Sequence, residues 1–167
     1  MNRDEEFMAL ALAEARKAEA NEEVPAGAVV VSREGNVIGR AGNAVVGLND
    51  PTAHAEILAL RQAGVKMRNY RLVGVEVFST LEPCPMCLMA MIHARVGRLV
   101  YGAREPRWGA AGSVMDLAKT PGLNHRLVVE GGVLANECQT LIKEFFKSRR
   151  GTEVAVTGAT RNRLVRC

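Results

Sequence analysis

A chain of 167 residues, 48% of them hydrophobic and with a net charge of +4, is long enough to bury a core as one domain without disulfides or metal as structural props. Its four cysteines (Cys84, Cys87, Cys138 and Cys167) are too few and too unevenly spaced for a disulfide framework, and no apolar run approaches the ~20 residues that cross a bilayer. The start MNRDEEFMAL is acidic where a signal peptide is basic and then apolar, so the expectation is a reduced, cytoplasmic protein with no membrane partner.

Residues 4–20 carry Phe7, Leu10, Ala11 and Ala18 at helical spacing between charges, which predicts an amphipathic helix. GAVVVSREGNVIGRAGN follows with two β-branched runs around Arg33-Glu34-Gly35-Asn36, a hairpin signal. After a loop, Asp50 as N-cap and Pro51 at the first helical position predict a helix through TAHAEILALRQAG to a stop at Gly64. Residues 72–80 alternate as a strand. Cys84-Pro85 then opens a helix, PMCLMAMIHARV, closed by Gly97. RLVYGA (98–103) reads as a strand, and 104–122 as a loop with one turn of helix near Met115–Ala118. RLVVEG (126–131) is a short strand, and 136–150 a last helix with Leu141, Ile142, Phe145 and Phe146 as its apolar face.

This order predicts a three-layer α/β/α sandwich around a central mixed five-stranded sheet, with an antiparallel hairpin and parallel strand-helix-strand units. Residues 1–150 form the expected domain. Residues 151–167 show no helical period and are expected as a basic tail. From Lys143 onward seven Lys and Arg stand against two Glu, so the excess charge is C-terminal and offers phosphate contacts.

TLEPCPMC (80–87) places two thiols three apart at a helix N-terminus, where the helix dipole favours thiolates. That geometry serves either a metal ion or a dithiol redox couple. His54 and Glu56, at the start of the other helix, distinguish the two. His54, Cys84 and Cys87 are three ligands suited to zinc with a fourth position left for water, whose pKa falls from about 15.7 toward about 7 on the metal. Glu56, off the metal, could carry the proton as general acid and base. A carboxylate in a first helical turn is also expected from the dipole alone. His93, six residues beyond Cys87, is turned about 120° away from that thiol and reads as a packing residue, and Cys138 as a small core residue.

His-x-Glu followed by Pro-Cys-x-x-Cys is the signature of zinc nucleobase deaminases. Through DPTAHAEILALRQA (50–63), TLEPCPMC (80–87), AMIHARVGRLVYGARE (90–105) and GAAGS (109–113), residues 5 to 150 closely resemble bacterial tRNA-specific adenosine deaminases of the cytidine deaminase superfamily. The resemblance implies a cytidine deaminase-like fold, one Zn2+ per chain, a homodimer, and conversion of adenosine to inosine at the wobble position of a tRNA anticodon stem-loop. Glu56 would protonate the ring nitrogen beside the attacked carbon and then the leaving amine. Asn43 matches the family's base-contacting asparagine, although asparagine after Gly42 is also a good turn residue. The implied substrate contacts further include Ala55, Glu105, Arg107, Asn124, His125, Phe146, Arg149 and Arg150. Trp108 could stack on a base or pin its own loop. Glu105 stands where aspartate is common, and Ala44-Val45-Val46 replaces a stretch often basic or polar in relatives. Deamination of a free base or nucleoside such as guanine, and a dithiol redox or structural-zinc module, remain the alternatives.

Overall fold

The chain, described over residues 1–153 in a computed structural model, opens with helix α1 (Arg3–Ala20). Asn2 and Glu5 form its capping box, each side chain satisfying the other's backbone N–H. Met8, Ala11, Leu12, Ala15 and Ala18 bury one stripe of α1, while Leu10, expected on that stripe, stands 38% exposed. Strands β1 (Gly27–Val31) and β2 (Val37–Gly42) form the antiparallel hairpin at the expected turn. The loop after it contains an unexpected helix, α2 (Val45–Leu48), closed by Asn49 in the left-handed region.

Helix α3 spans Ala55–Met67, so the helix start expected at Asp50-Pro51 is corrected. The Asp50 carboxylate is taken by its own neighbour, accepting from the backbone N–H and the hydroxyl of Thr52 in a tight local turn. His54 therefore becomes the N-cap, with extended backbone angles. Strand β3 (Glu76–Leu81) leads through Glu82-Pro83 into α4 (Pro85–His93), with Cys84 as N-cap and proline at the first position, as expected. His93 is exposed, not packed.

Strand β4 (Arg98–Ala103), a 3-10 turn (Leu117–Lys119) and strand β5 (Val128–Gly131) follow, β5 starting two residues later than expected. Helix α5 runs over Ala135–Glu153, past the expected end at 150. Residues 154–167, most of the expected tail and with them Cys167, lie outside the described residues.

The sheet order is β2-β1-β3-β4-β5, with β3, β4 and β5 parallel and β1 antiparallel to both its neighbours. Alternation along the strands feeds two cores. Ala28, Val30, Val77 and Leu99 face α3 and α4, where Ala59, Leu88 and Met91 are buried. Val29, Val31, Phe78 and Val100 face α1 and α5, against Met8, Leu12 and Cys138. This is the three-layer sandwich the sequence predicts. Gly27 lets α1 approach β1, since a Cβ there would meet the backbone of Ala11 and Ala15.

Candidate active site

Two helix N-termini, from α3 and α4, meet at one end of the sheet. Their N-cap residues, His54 and Cys84, have extended backbones, and neither uses its side chain to cap its helix. Both side chains are thereby left for something else. His54 Nδ1 lies 3.6 Å from the Cys84 sulfur and 3.5 Å from the Cys87 sulfur. All three donor atoms lie within 4.8 Å of one another, and among the described residues this is the group able to hold a metal ion. An ion bound tetrahedrally at about 2.3 Å from sulfur and 2.0–2.1 Å from nitrogen sets those atoms roughly 3.6 Å apart, so the donor set fits zinc.

The three donors shift one another's protons. The Cys84 thiol is held down at about 4, first by its hydrogen bond with Cys87 and then by His54, against the effect of burial. Cys87 moves the opposite way, pushed up by its pairing with Cys84 and by burial. His54 is raised, chiefly by its hydrogen bond to Cys84.

Glu56, the second residue of α3, is buried, and burial raises its carboxyl above the ordinary range against a backbone hydrogen bond and His54. Its Oε2 stands 3.6 Å from the Cys87 sulfur. The Ser79 hydroxyl lies 3.3 Å from Oε1 and 2.8 Å from the Leu81 carbonyl, its one proton shared between the two acceptors. One oxygen is thus held from β3 while the other faces the thiols.

Asn43, just past the end of β2, joins the same rim. Its N–H donates to the Ala26 carbonyl, and the next N–H, of Ala44, donates to the carbonyl of Ala53, the residue before His54. Ala55 is fully buried beside the ligands. Glu82, also buried, organises the loop after β4: it accepts the backbone N–H groups of Glu105 at 3.1 Å and of Ala111 and Ser113 at 3.0 Å, together with the Ser113 hydroxyl. Ala110 N–H adds a bond to the Pro83 carbonyl, one residue from Cys84. That loop exposes Arg104, Arg107 and Trp108, and the half-buried Glu105 accepts the Arg107 N–H at 2.8 Å.

At the end of α5, Phe145 is buried and Phe146 is 37% exposed, so the two phenylalanines divide between core and surface. Arg149 lies over the Phe145 ring and donates to the Glu22 carbonyl at 3.2 Å, which sets this basic end near Asn43's neighbour Glu23; Arg150 is exposed. Asn124 and His125 are not brought to the metal ligands. Arg95 holds Asn124 by both its carbonyl and side-chain oxygen at 2.8 Å, and His125 Nε2 pairs with the Val96 carbonyl at 2.6 Å. Both are therefore held by the residues that follow α4, whereas the metal donors stand at its N-terminus.

Sequence reasoning did not single out Glu23, Ser79 or Glu82. Glu82 directly follows β3, Ser79 lies within it and Glu23 stands in the turn before β1, and none of them carries a local pattern that marks it.

The model for the cytidine and deoxycytidylate deaminase zinc-binding region matches residues 1–103. The tRNA-specific adenosine deaminase of Haemophilus influenzae is 46% identical over 147 residues, covering 88% of this chain and 85% of that one. That of Bacillus subtilis is 41% identical over 150 residues, covering 90% and 92%. Among solved structures, a tRNA:A34 deaminase of A-to-I editing at the wobble position superposes with a TM-score of 0.79 at 44% identity, covering 81% of this chain and 98% of that one. The guanine deaminase of Nitrosomonas europaea follows with a TM-score of 0.72 at 29% identity, covering 84% and 83%.

Proposed function

Since the chain belongs to the cytidine and deoxycytidylate deaminase family, and within it is similar over most of its length to tRNA-specific adenosine deaminases, we propose that it converts adenosine to inosine at the wobble position of a tRNA anticodon. It is a zinc-dependent hydrolytic deaminase. The observation that carries the reading is the donor trio His54, Cys84 and Cys87 with a buried carboxylate, Glu56, against one of its sulfurs.

In this reading His54, Cys84 and Cys87 would hold the zinc, which would supply Lewis acidity at the site. Glu56 is the proton carrier. Its Oε2 would take a proton from the attacking water and deliver it to the ring nitrogen beside the carbon under attack. A second transfer, to the amine, lets ammonia leave, so adenosine and water become inosine and ammonia. The Ser79 hydroxyl on Oε1 keeps the carboxylate from rotating away between the two transfers. Asn43 and the Ala55 backbone would meet the base, and the target nucleotide would enter from a loop whose bases are already splayed.

Glu105, Arg107, Phe146, Arg149 and Arg150 are the proposed RNA contacts near the site, on the loop anchored by Glu82 and on the end of α5. Asn124 and His125, held by the residues that follow α4, would meet a different part of the RNA. We assign residues 1–150 to the deaminase domain. The homodimer stays a proposal, supported by the resemblance and by the exposed apolar side chains Val46 and Leu48 on α2. No helix among the described residues is long and apolar enough to cross a membrane, and a tRNA substrate favours the cytoplasm.

Guanine as substrate is favoured only by the lower-identity structural likeness, and a free base does not need the exposed Arg107 and Arg150. The deciding experiment incubates the protein with RNA and DNA forms of one anticodon hairpin and with free guanine, scoring inosine and xanthine. Inosine at the wobble position of the RNA is expected; xanthine formation with an untouched hairpin would overturn the reading.

A further inference from the structure

Glu23 is a carboxylate with 3% of its surface exposed, in the turn between α1 and β1, where no step of the chemistry requires it. Its Oε2 accepts from Asn43 Nδ2 at 3.2 Å and its Oε1 from the Gly47 N–H at 2.7 Å. A carboxylate accepts hydrogen bonds, whereas an amide side chain has one accepting and one donating end. The contact therefore decides which way round Asn43 stands: its nitrogen faces Glu23. No hydrogen bond from a described residue reaches Oδ1 of Asn43, and no buried side-chain oxygen or nitrogen among the described residues is left without a partner. Oδ1 is thus not sealed in the interior and remains free to accept a hydrogen bond.

We infer that Glu23 is a positioning residue for substrate recognition: by binding Asn43 Nδ2 it fixes the amide so that Oδ1 is presented to a hydrogen-bond donor on the target nucleoside, either a ribose hydroxyl or a base N–H. The inference rests on the proposed contact between Asn43 and substrate. It explains why an acid is buried at that turn, and why the same acid holds Gly47: the first residues of α2 are kept beside the amide they flank. With the amide free to turn over, one of its two orientations would put a donor where an acceptor is needed.

Glu23→Gln is the informative variant. Its carbonyl can still take the Gly47 N–H, but its own NH2 then faces Asn43 and calls for the reversed amide. Zinc content and melting temperature should stay near those of the parent. The side-chain amide resonances of Asn43 in the 15N-labelled protein should move, and kcat/KM on an anticodon hairpin should fall about 10–100-fold, mainly through KM. Glu23→Asp keeps the carboxylate and should return the resonances and part of the activity; it also serves if the glutamine variant folds poorly. In the double variant with Asn43→Ala, activity should be no lower than in Asn43→Ala alone.

A hairpin with 2′-deoxyadenosine at the target assigns the donor: a loss as large as that from Asn43→Ala points to the ribose hydroxyl, and a smaller one to a base N–H. If Asn43→Ala deaminates at the parental rate, the contact itself is wrong. If Asn43→Ala is impaired while Glu23→Gln is not, or the losses multiply in the double variant, the positioning role is wrong and the contact stands.

Discussion

Ser79 on β3 gives its hydroxyl to Oε1 of Glu56 on α3, across 3.3 Å and 23 residues of sequence. The bond joins the sheet to the helix that carries His54, and it leaves Oε2 as the oxygen turned to the thiols. Glu56→Ala should therefore keep one zinc per chain while losing about 10²–10⁴-fold in kcat, the usual contribution of a positioned acid and base. Ser79→Ala, which removes this donor together with its contact to the Leu81 carbonyl, should lose about 5–10-fold at unchanged zinc content, the equivalent of one ordinary hydrogen bond. Metal analysis alongside single-turnover rates checks both.

Removing the metal should act on stability as well as on turnover, because the three donors come from two helices that the ion would tie together. A strong chelator should abolish inosine formation and lower the melting temperature by several degrees, and added zinc should restore both. Cys87→Ser, at a fully buried position, should behave like the chelated protein. Calorimetry with and without chelator is the measurement.

Glu82 holds three backbone N–H groups and a hydroxyl of the loop that carries Arg107. Glu82→Ala leaves those donors facing a void and should cost about 2–4 kcal/mol of unfolding free energy. Gly109, where a Cβ would meet this carboxylate, should tolerate alanine equally badly. Denaturant titration gives the energy. Hydrogen exchange should lose protection at Glu105, Ala111 and Ser113 before it does at β3.

Arg98 gathers Asp4 at 2.5 Å, Glu76 at 2.7 Å and Glu130 at 2.7 Å, joining α1, β3, β4 and β5 at the end of the sheet away from the metal ligands. All three carboxyls are held below their ordinary range, Asp4 and Glu130 chiefly by Arg98 and Glu76 chiefly by Arg3. A carboxyl depressed in the folded state stabilises above its unfolded pKa and loses that contribution as pH falls through the folded value. The cluster should thus be fully effective at pH 7 and fade below about pH 4. Because these groups are partly exposed, solvent screening limits the contribution to about 1–2 kcal/mol. Arg98→Ala should lower the melting temperature at pH 7, and the gap to the parent should narrow toward pH 3.

Much of the site was legible because its chemistry is local in sequence. Cys84 and Cys87 are three residues apart around Pro85, which sets the helix start, and His54 and Glu56 are two apart at another helix start. Spacing of this kind fixes which side chains can share a helix end before any tertiary contact exists. The helix begins at Ala55 and not at Asp50 because Asp50 has a competing partner, Thr52, that local pattern alone does not weigh against a helical N-cap. Helix α2 is only four residues long, too short to show a period.

The sequence by itself determined the candidate metal donors, the glutamate two residues beyond His54 and the layered fold, since residue chemistry and hydrophobic alternation follow directly from the order of side chains. Only the tertiary structure decided how Glu23, Ser79 and Glu82 serve that centre. Each acts across 20 or more residues through a hydrogen bond whose partner is named by the packing of sheet and helices, and nothing in a polar side chain's own neighbourhood says which distant donor or acceptor it will meet.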